Sequence, residues 1–430
     1  AGDGVKRRTV AALPMALALP RGHANTVDGD SASAAAPFDA AKAWHEFAGL
    51  LRLDYAYFER PGVDGPKILA HFEPLARTVR DRAACIALLK TVARNFADPH
   101  FNVGPGAPND PGLVPTASDL FGEVADGRAV IRAVRAGSDA AAQGVPVGSA
   151  VVAVDGHDPA SRIATLLGQP LQSLSRVQAQ HALNLALAGV RGQPRQMVLR
   201  VAGGPPRTFR LKSPDELARA LATAPPVVAE RRGAVGLIRF NNSLGRDDTR
   251  ERFDAALQGL LDTRALVLDL RQTPSGGNTT VARAIMGHFV TREQPYQVHV
   301  VSGEQRRFGV PRKFVELVAP RSPHYDGRLF VLCGRWTGSM GEGLVIGFDA
   351  LGHTTVGSPM AHLLGALSHE TLPTSQAHVE LGEEQMLHVN GTPREAFHPT
   401  IAIEPAEARL DGDPAFDAVQ RAIDAARERR

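Results

Sequence analysis

One serine, Ser339, stands in a turn of small residues, WTGSMGEG, between the apolar run Leu329 to Leu332 and a second apolar stretch after Gly341. A serine hydroxyl is a poor nucleophile unless it is held, desolvated and paired with a base. A strand-to-helix turn with glycines at 338 and 341 can hold it and aims backbone N–H groups at the same point. The turn departs from the G-x-S-x-G elbow, because Thr337 occupies the first glycine position. Serine is also a favoured helix N-cap, so the turn alone leaves both readings open. A second run, RALVLDLRQTPSGGN, ends a buried strand in the pair Gly276–Gly277, a loop whose N–H groups can face a negative oxygen. It lacks the lysine and spacing of a phosphate-binding loop. Two adjacent strand ends, one with a hydroxyl and one with N–H donors, meet the requirement for a nucleophile and an oxyanion hole.

Three kinds of element have to position these residues. From Val227 onward, apolar strands alternate with amphipathic helices, which implies a central, largely parallel sheet covered on both faces. Upstream, from about Thr116 to Leu211, a strand (Ala129 to Val134), an Ala-rich helix stopped by Gly144, a strand ending in Asp155–Gly156 and a hairpin-like pair (Gln196 to Lys212) follow in order. This order resembles bacterial PDZ domains, with about thirty extra residues (Arg162 to Pro194) and with LFGEVADGR in place of the usual carboxylate loop. Before it, two amphipathic helices are read, one through Phe38, Ala41, Trp44, Ala48 and Leu51 and one through Cys85, Leu88, Val92 and Phe96. They close at DPHFNVGPG, and a Pro/Gly-rich linker follows to Pro115.

At the start of the sequence, Lys6, Arg7 and Arg8 precede an apolar run, Val10 to Pro20, with small residues at Gly22 and Ala24. This pattern predicts a secretory signal and hence a periplasmic or secreted protein. The run is too short to span a bilayer, and no other segment approaches that length. At 430 residues with 43% hydrophobic content, the chain is large enough for two or three cores. The formal charge of +3, without basic blocks interleaved with aromatics, argues against a nucleic-acid partner. Cys85 and Cys333 both read as small core residues. The fifteen histidines include no H-E-x-x-H and no Cys/His cluster at zinc spacing, and His362, His369 and His378 are read on a loop-like stretch, so no metal or other cofactor is expected.

The LVLDLR–Gly-Gly loop, the later VLCGRWTGSMGEGL, the upstream FADPH and the segment Gly391 to Pro399 together resemble the C-terminal-processing, or tail-specific, peptidases. The resemblance implies an α/β, crotonase-like (ClpP-like) catalytic domain at residues 225–410. With it come a PDZ-like domain at 115–213, a helical region at 36–110 and a signal peptide at 1–24. It implies Ser339 as nucleophile, and an oxyanion hole from the N–H groups of Met340 and of Gly276 or Gly277. The family's usual base is a lysine about two dozen residues after the serine, but no lysine follows Ser339 in this sequence. The tricorn-like branch uses instead a histidine ahead of the PDZ-type insert, a position matched by His100. An imidazole near its ordinary pKa suits that task. Glu395 is the glutamate that would orient His100. Pro99 replaces the branch's serine, and Asp98 could instead orient the ring or a backbone turn. The expected activity is that of a serine-type endopeptidase acting on peptides or proteins. The rival is an inactive ligand- or peptide-binding protein on the same scaffold, as retinoid-binding relatives show the fold can be.

Overall fold

The computed structural model describes residues 38–125 and 127–428, so the expected export segment lies outside the described residues. The centre is a six-stranded sheet. Strands Val235–Phe240, Ala265–Asp269, Arg328–Cys333 and Thr354–Gly357 pair parallel in that order. Their near-continuous apolar sequences suit strands covered on both sides. Val227–Arg232 closes one edge antiparallel and Ile401–Ala402 extends the other in parallel. Alternate residues serve two cores. Leu266, Leu268 and Val331 pack under helices Asp248–Gln258, Thr279–Met286 and Met340–Ala350, whereas Val267, Phe330 and Leu332 pack against helix Pro414–Glu428. The expected crotonase-like α/β architecture is what the chain forms.

A second sheet was not anticipated from the sequence. Strands Arg312–Val318, Gln294–Val301, His378–Leu387 and Ala366–Thr371 pair antiparallel, and Asn102–Gly104 joins beside His378–Leu387. The stretch read as loop-like between His362 and His378 therefore contains one strand, Ala366–Thr371, and ends at the start of another. His369 and His378 lie on paired strands, with His369 opposite Glu380 at 3.4 Å.

The N-terminal region holds three helices rather than two: Ala40–Asp54, Gly65–Ala76 and Arg82–Asn95. The middle helix starts after Asp64, whose side chain accepts the Lys67 N–H, with proline in its first turn, where a missing N–H costs nothing. These helices do not close a core of their own. Leu51, Phe72, Leu89 and Phe96 pack with Leu364, Leu372, Val379 and Leu381 of the second sheet region. This shared core draws residues near 100 onto residues near 364.

The PDZ-like region is a five-stranded antiparallel sheet in the order Leu120–Ala125, Arg128–Val134, Ala150–Val154, Arg195–Arg200, Pro206–Leu211. The inserted residues carry most of helix Pro159–Leu167 and all of helix Arg176–Ala188. Its contacts with the central sheet are specific. Fully buried Arg135 donates from Nε to Gln272 Oε1 (2.9 Å), Gln272 Nε2 donates to Ala136 O (3.0 Å), and Trp336 Nε1 donates to Ser118 O (3.0 Å). Cys85 and Cys333 are free, buried and in different cores.

Candidate active site

Parallel pairing of Ala265–Asp269 with Arg328–Cys333 brings the two loops read from the sequence to one end of the sheet. The pairing continues as a bridge between Thr273 and Thr337, and Gly338 N–H donates to Thr273 O (3.1 Å). Ser339 follows at φ 50° and ψ −117°, as the N-cap residue of helix Met340–Ala350. Such a backbone is strained for any residue with a Cβ and persists only where its surroundings over-determine it. The strained strand-to-helix elbow is thus formed despite Thr337. Ser339 is partly exposed while its neighbours are buried.

The glycine pair lies directly against this turn. A Cβ on Gly276, which has φ +64°, would collide with Ser339 Cβ and lie 2.5 Å from Met340 N, and one on Gly277 would collide with the Leu244 carbonyl. Only glycine fits either place. Gly276 N–H already donates to Thr273 O (3.1 Å). Among the described residues, the amides of Gly277 and Met340 carry no such bond, which distinguishes the two glycines that the sequence left equivalent. The loop is fixed from outside by Asn242, which accepts from Ser275 N–H and donates to Ser275 Oγ (both 3.0 Å), and by the Arg135–Gln272 pair.

His100 arrives from the other end of the chain. Its Nδ1 is 3.0 Å from Leu364 O, and its N–H donates to Asp98 Oδ1 (2.9 Å). Asp98 Oδ1 also accepts Leu364 N–H (3.3 Å), and Oδ2 accepts the Tyr55 hydroxyl (2.8 Å). Asp98 therefore shapes the backbone turn rather than the imidazole. Burial pushes the His100 ring down to about 4, assisted by Arg394 and His369 and opposed by carbonyl hydrogen bonds. The near-neutral imidazole expected from the sequence is thus retuned by desolvation. Among the described residues no hydrogen bond joins His100 to Ser339.

Glu342, three residues after Ser339, has a role that the sequence of the turn did not reveal. It is fully buried and accepts three backbone N–H groups, from Ser339 (2.8 Å), His362 (3.0 Å) and Leu363 (3.0 Å). Burial pushes its carboxyl up to about 7, against the pull of Arg394 and those three amides. One carboxylate therefore ties the serine turn to the segment that holds His100. Buried Arg394 completes the clamp, donating from Nη2 to the carbonyls of Leu363 and Gly365. The S-x-x-E spacing and the TPRE segment were the available signals. Glu395 is half-buried and faces Tyr57 electrostatically; the structure gives it no hydrogen bond to His100. A cavity of about 300 Å³ opens beside these residues, lined by Pro99, Phe121, His181, Trp336, Met360 and His362. No group of three or more His, Cys, Asp or Glu side chains is arranged to hold a metal ion among the described residues.

The structure thus combines a crotonase-like α/β domain, a PDZ-like region and a serine on a strained strand-to-helix elbow. Residues 233–403 match the model of Peptidase family S41, so this part of the chain is similar to the S41 peptidases. The match spans Gly276, Gly277, Ser339, Met340 and Glu395 and leaves His100 outside it. The fold is similar to that of mature CPAF complexed with lactacystin, at 16% identity and a TM-score of 0.58 over 90% of this chain and 97% of that one. It is likewise similar to the photosystem II D1 C-terminal processing protease, at 17% identity and a TM-score of 0.55 over 87% and 96%. No curated protein matches the chain by sequence.

Proposed function

We propose that the chain is an exported serine endopeptidase in which Ser339 is the nucleophile and His100 the base. The observation that carries this reading is the strained backbone of Ser339 pressed against Gly276, since strain of this kind is retained where it serves a site. His100 Nε2 takes the hydroxyl proton as Oγ attacks the amide carbonyl, and the imidazolium then protonates the leaving amine. The oxyanion rests on the N–H groups of Met340 and Gly277. Water resolves the acyl-enzyme. The orienting role expected of Glu395 falls to the Leu364 carbonyl, which fixes the ring through Nδ1. Substrate binding brings His100 and Ser339 together, as catalytic hydrogen bonds in unliganded sites are often loose. Export rests on Lys6 to Arg8, the apolar run to Pro20 and the small residues at Gly22 and Ala24.

The test is a fluorophosphonate probe on wild type and Ser339→Ala. Labelling of wild type alone supports the reading. An unlabelled wild type sinks it and favours a binding protein, the second reading, which draws on the depressed pKa of His100 and its separation from Ser339.

A further inference from the structure

The strand Leu120–Ala125 is an edge of the PDZ-like sheet: one side pairs with Arg128–Val134 and the other faces helix Arg176–Ala188. In PDZ domains such an edge receives an extended peptide as an added strand, whose main chain pairs with the free N–H and C=O groups. Residues two apart on a strand present those groups to the same side. Here Gly122 and Val124 carry them.

Three of the four groups that face the helix from these two residues, all but the Val124 carbonyl, are already paired. Asn184 Oδ1 accepts Gly122 N–H (2.9 Å) and its Nδ2 donates to Gly122 O (3.1 Å). Gln180 Oε1 accepts Val124 N–H (3.2 Å), and its Nε2 also donates to Gly122 O. The two amides sit one helical turn apart on one face, and Asn184 Nδ2 further donates to Gln180 O (2.9 Å). Strand and helix are thus bonded to each other at Gly122 and Val124, and the cavity lined by Phe121 and His181 runs beside this junction. A Cβ on Gly122 would lie 2.6 Å from Leu187 Cδ1 and 3.3 Å from Leu183 Cδ2, so the helix packs directly on the strand here. Ahead of the strand, Ser118 O and Oγ are taken by Trp336 Nε1 (3.0 and 3.1 Å).

We infer that the peptide groove of the PDZ-like region is occupied by its own helix, with the Gln180 and Asn184 side-chain amides standing in for a peptide main chain. The region then selects no substrate by a free C-terminus and serves as a fixed wall of the catalytic cleft, held through Arg135 and Gln272. Resting on the peptidase reading, this gives a substrate class: internal segments of polypeptide, cleaved as readily from chains with an amidated C-terminus as from free acids.

Two arms test it independently of turnover. Full-length Ser339→Ala is titrated with fluorescein-labelled decapeptide pools randomised at the last four positions, as free acids and as amides. Equal anisotropy curves are expected. Hydrogen exchange of residues 119–125 is followed by mass spectrometry in wild type, Gln180→Ala/Asn184→Ala and the milder Asn184→Asp. Exchange in that segment is expected to be at least threefold faster in the variants and unchanged by either pool in wild type. Acid-dependent binding that slows exchange of 119–125, or wild-type exchange as fast as in the double variant, overturns the inference. A third arm compares cleavage of one fluorogenic peptide as acid and amide. Rates within about twofold are expected, and a tenfold preference for the acid overturns the substrate class. If neither is cleaved, the peptidase reading falls, while binding and exchange still decide the groove.

Discussion

The Nδ1 of His100 lies 3.0 Å from the carbonyl oxygen of Leu364, a residue 264 positions later in the chain. A carbonyl only accepts, so Nδ1 carries the proton and Nε2 keeps the lone pair. That is the tautomer the base proposed above needs. Its origin is the core shared by the N-terminal helices and the second sheet, which sets Phe96 and Phe101 against Leu364 and Leu381. Glu342 then links Leu363 back to Ser339. His100 and Ser339 are thus mounted on one hydrogen-bonded segment, although their own atoms are not bonded.

The buried imidazole makes stability depend on acid. Burial holds His100 at about 4 in the folded state, below the ordinary 6.5. Its contribution is therefore present above 6.5 and is lost as pH falls toward 4. A shift of this size corresponds to about 3 kcal/mol as an upper bound. Urea unfolding of wild type and His100→Gln at pH 7.5 and 4.5 is expected to show a larger acid loss in wild type, by about 2 kcal/mol. Equal losses would rule this account of the ring out. Other buried histidines, such as His181 and His362, are common to both proteins and cancel in the difference.

Strain at Ser339 predicts a trade between stability and function. At φ 50° and ψ −117° a glycine is far less penalised than a serine. Ser339→Gly is expected to abolish probe labelling while raising stability by about 1 kcal/mol, after allowing for the extra entropy that glycine loses. Denaturant midpoints measure it. A destabilised Ser339→Gly would contradict the strained turn.

Glu342 separates hydrogen bonding from charge. Its carboxyl is pushed up to about 7 from an ordinary 4.5, so stability is fully present below 4.5 and is lost as pH rises through 7. Glu342→Gln keeps an acceptor oxygen and removes the ionisation. It is expected to be the more stable protein at pH 8.5, by on the order of 1–3 kcal/mol, and the two should converge near pH 5. Glu342→Ala leaves three buried amides without partners and is expected to cost about 3 kcal/mol at either pH. Thermal melts across pH decide between these outcomes, and a Gln variant less stable than wild type at pH 8.5 would refute the charge argument.

What could be read from the sequence follows from how each element earns its residues. Ala265–Asp269 is buried at every position and announces itself as an apolar run, as does Arg328–Cys333 after its first residue. The serine turn and glycine pair were legible because close backbone approach admits only small residues there. The second sheet was not, since Arg312–Val318 is an exposed edge strand and mixes charges with apolar residues. Helix Gly65–Ala76 was hidden by Pro66 and Pro74, which punctuate the chain without ending the helix. The role of Glu342 was hidden for a different reason: its partners His362 and Leu363 are local to it only after folding.

A second histidine predicts the opposite pH response from His100. His299 donates through Nδ1 to Glu384 Oε2 (2.6 Å), lies 3.3 Å through Nε2 from Glu316 Oε2, and stacks on Phe314 at 4.4 Å between ring centroids. Glu316 also accepts from Gln297 Nε2 (2.7 Å) and pairs with Arg283 (3.2 Å). Burial alone would lower the imidazole, but the two carboxylates outweigh it and hold His299 above 6.5. Glu316 is correspondingly held at about 2 despite its own burial, chiefly by its hydrogen bond to His299. Because the folded value exceeds the unfolded one, this contribution is fully present below 6.5 and fades as pH rises through the folded value. The imidazolium joins strands Gln294–Val301, Arg312–Val318 and His378–Leu387 across the second sheet. His299→Gln is therefore expected to be less stable than wild type at pH 6, with the gap closing by pH 9. Melting temperatures across that range measure it, and the His299 ring should titrate above 6.5 by NMR. A gap that widens with pH would show the ring to be neutral and the charge bridge absent.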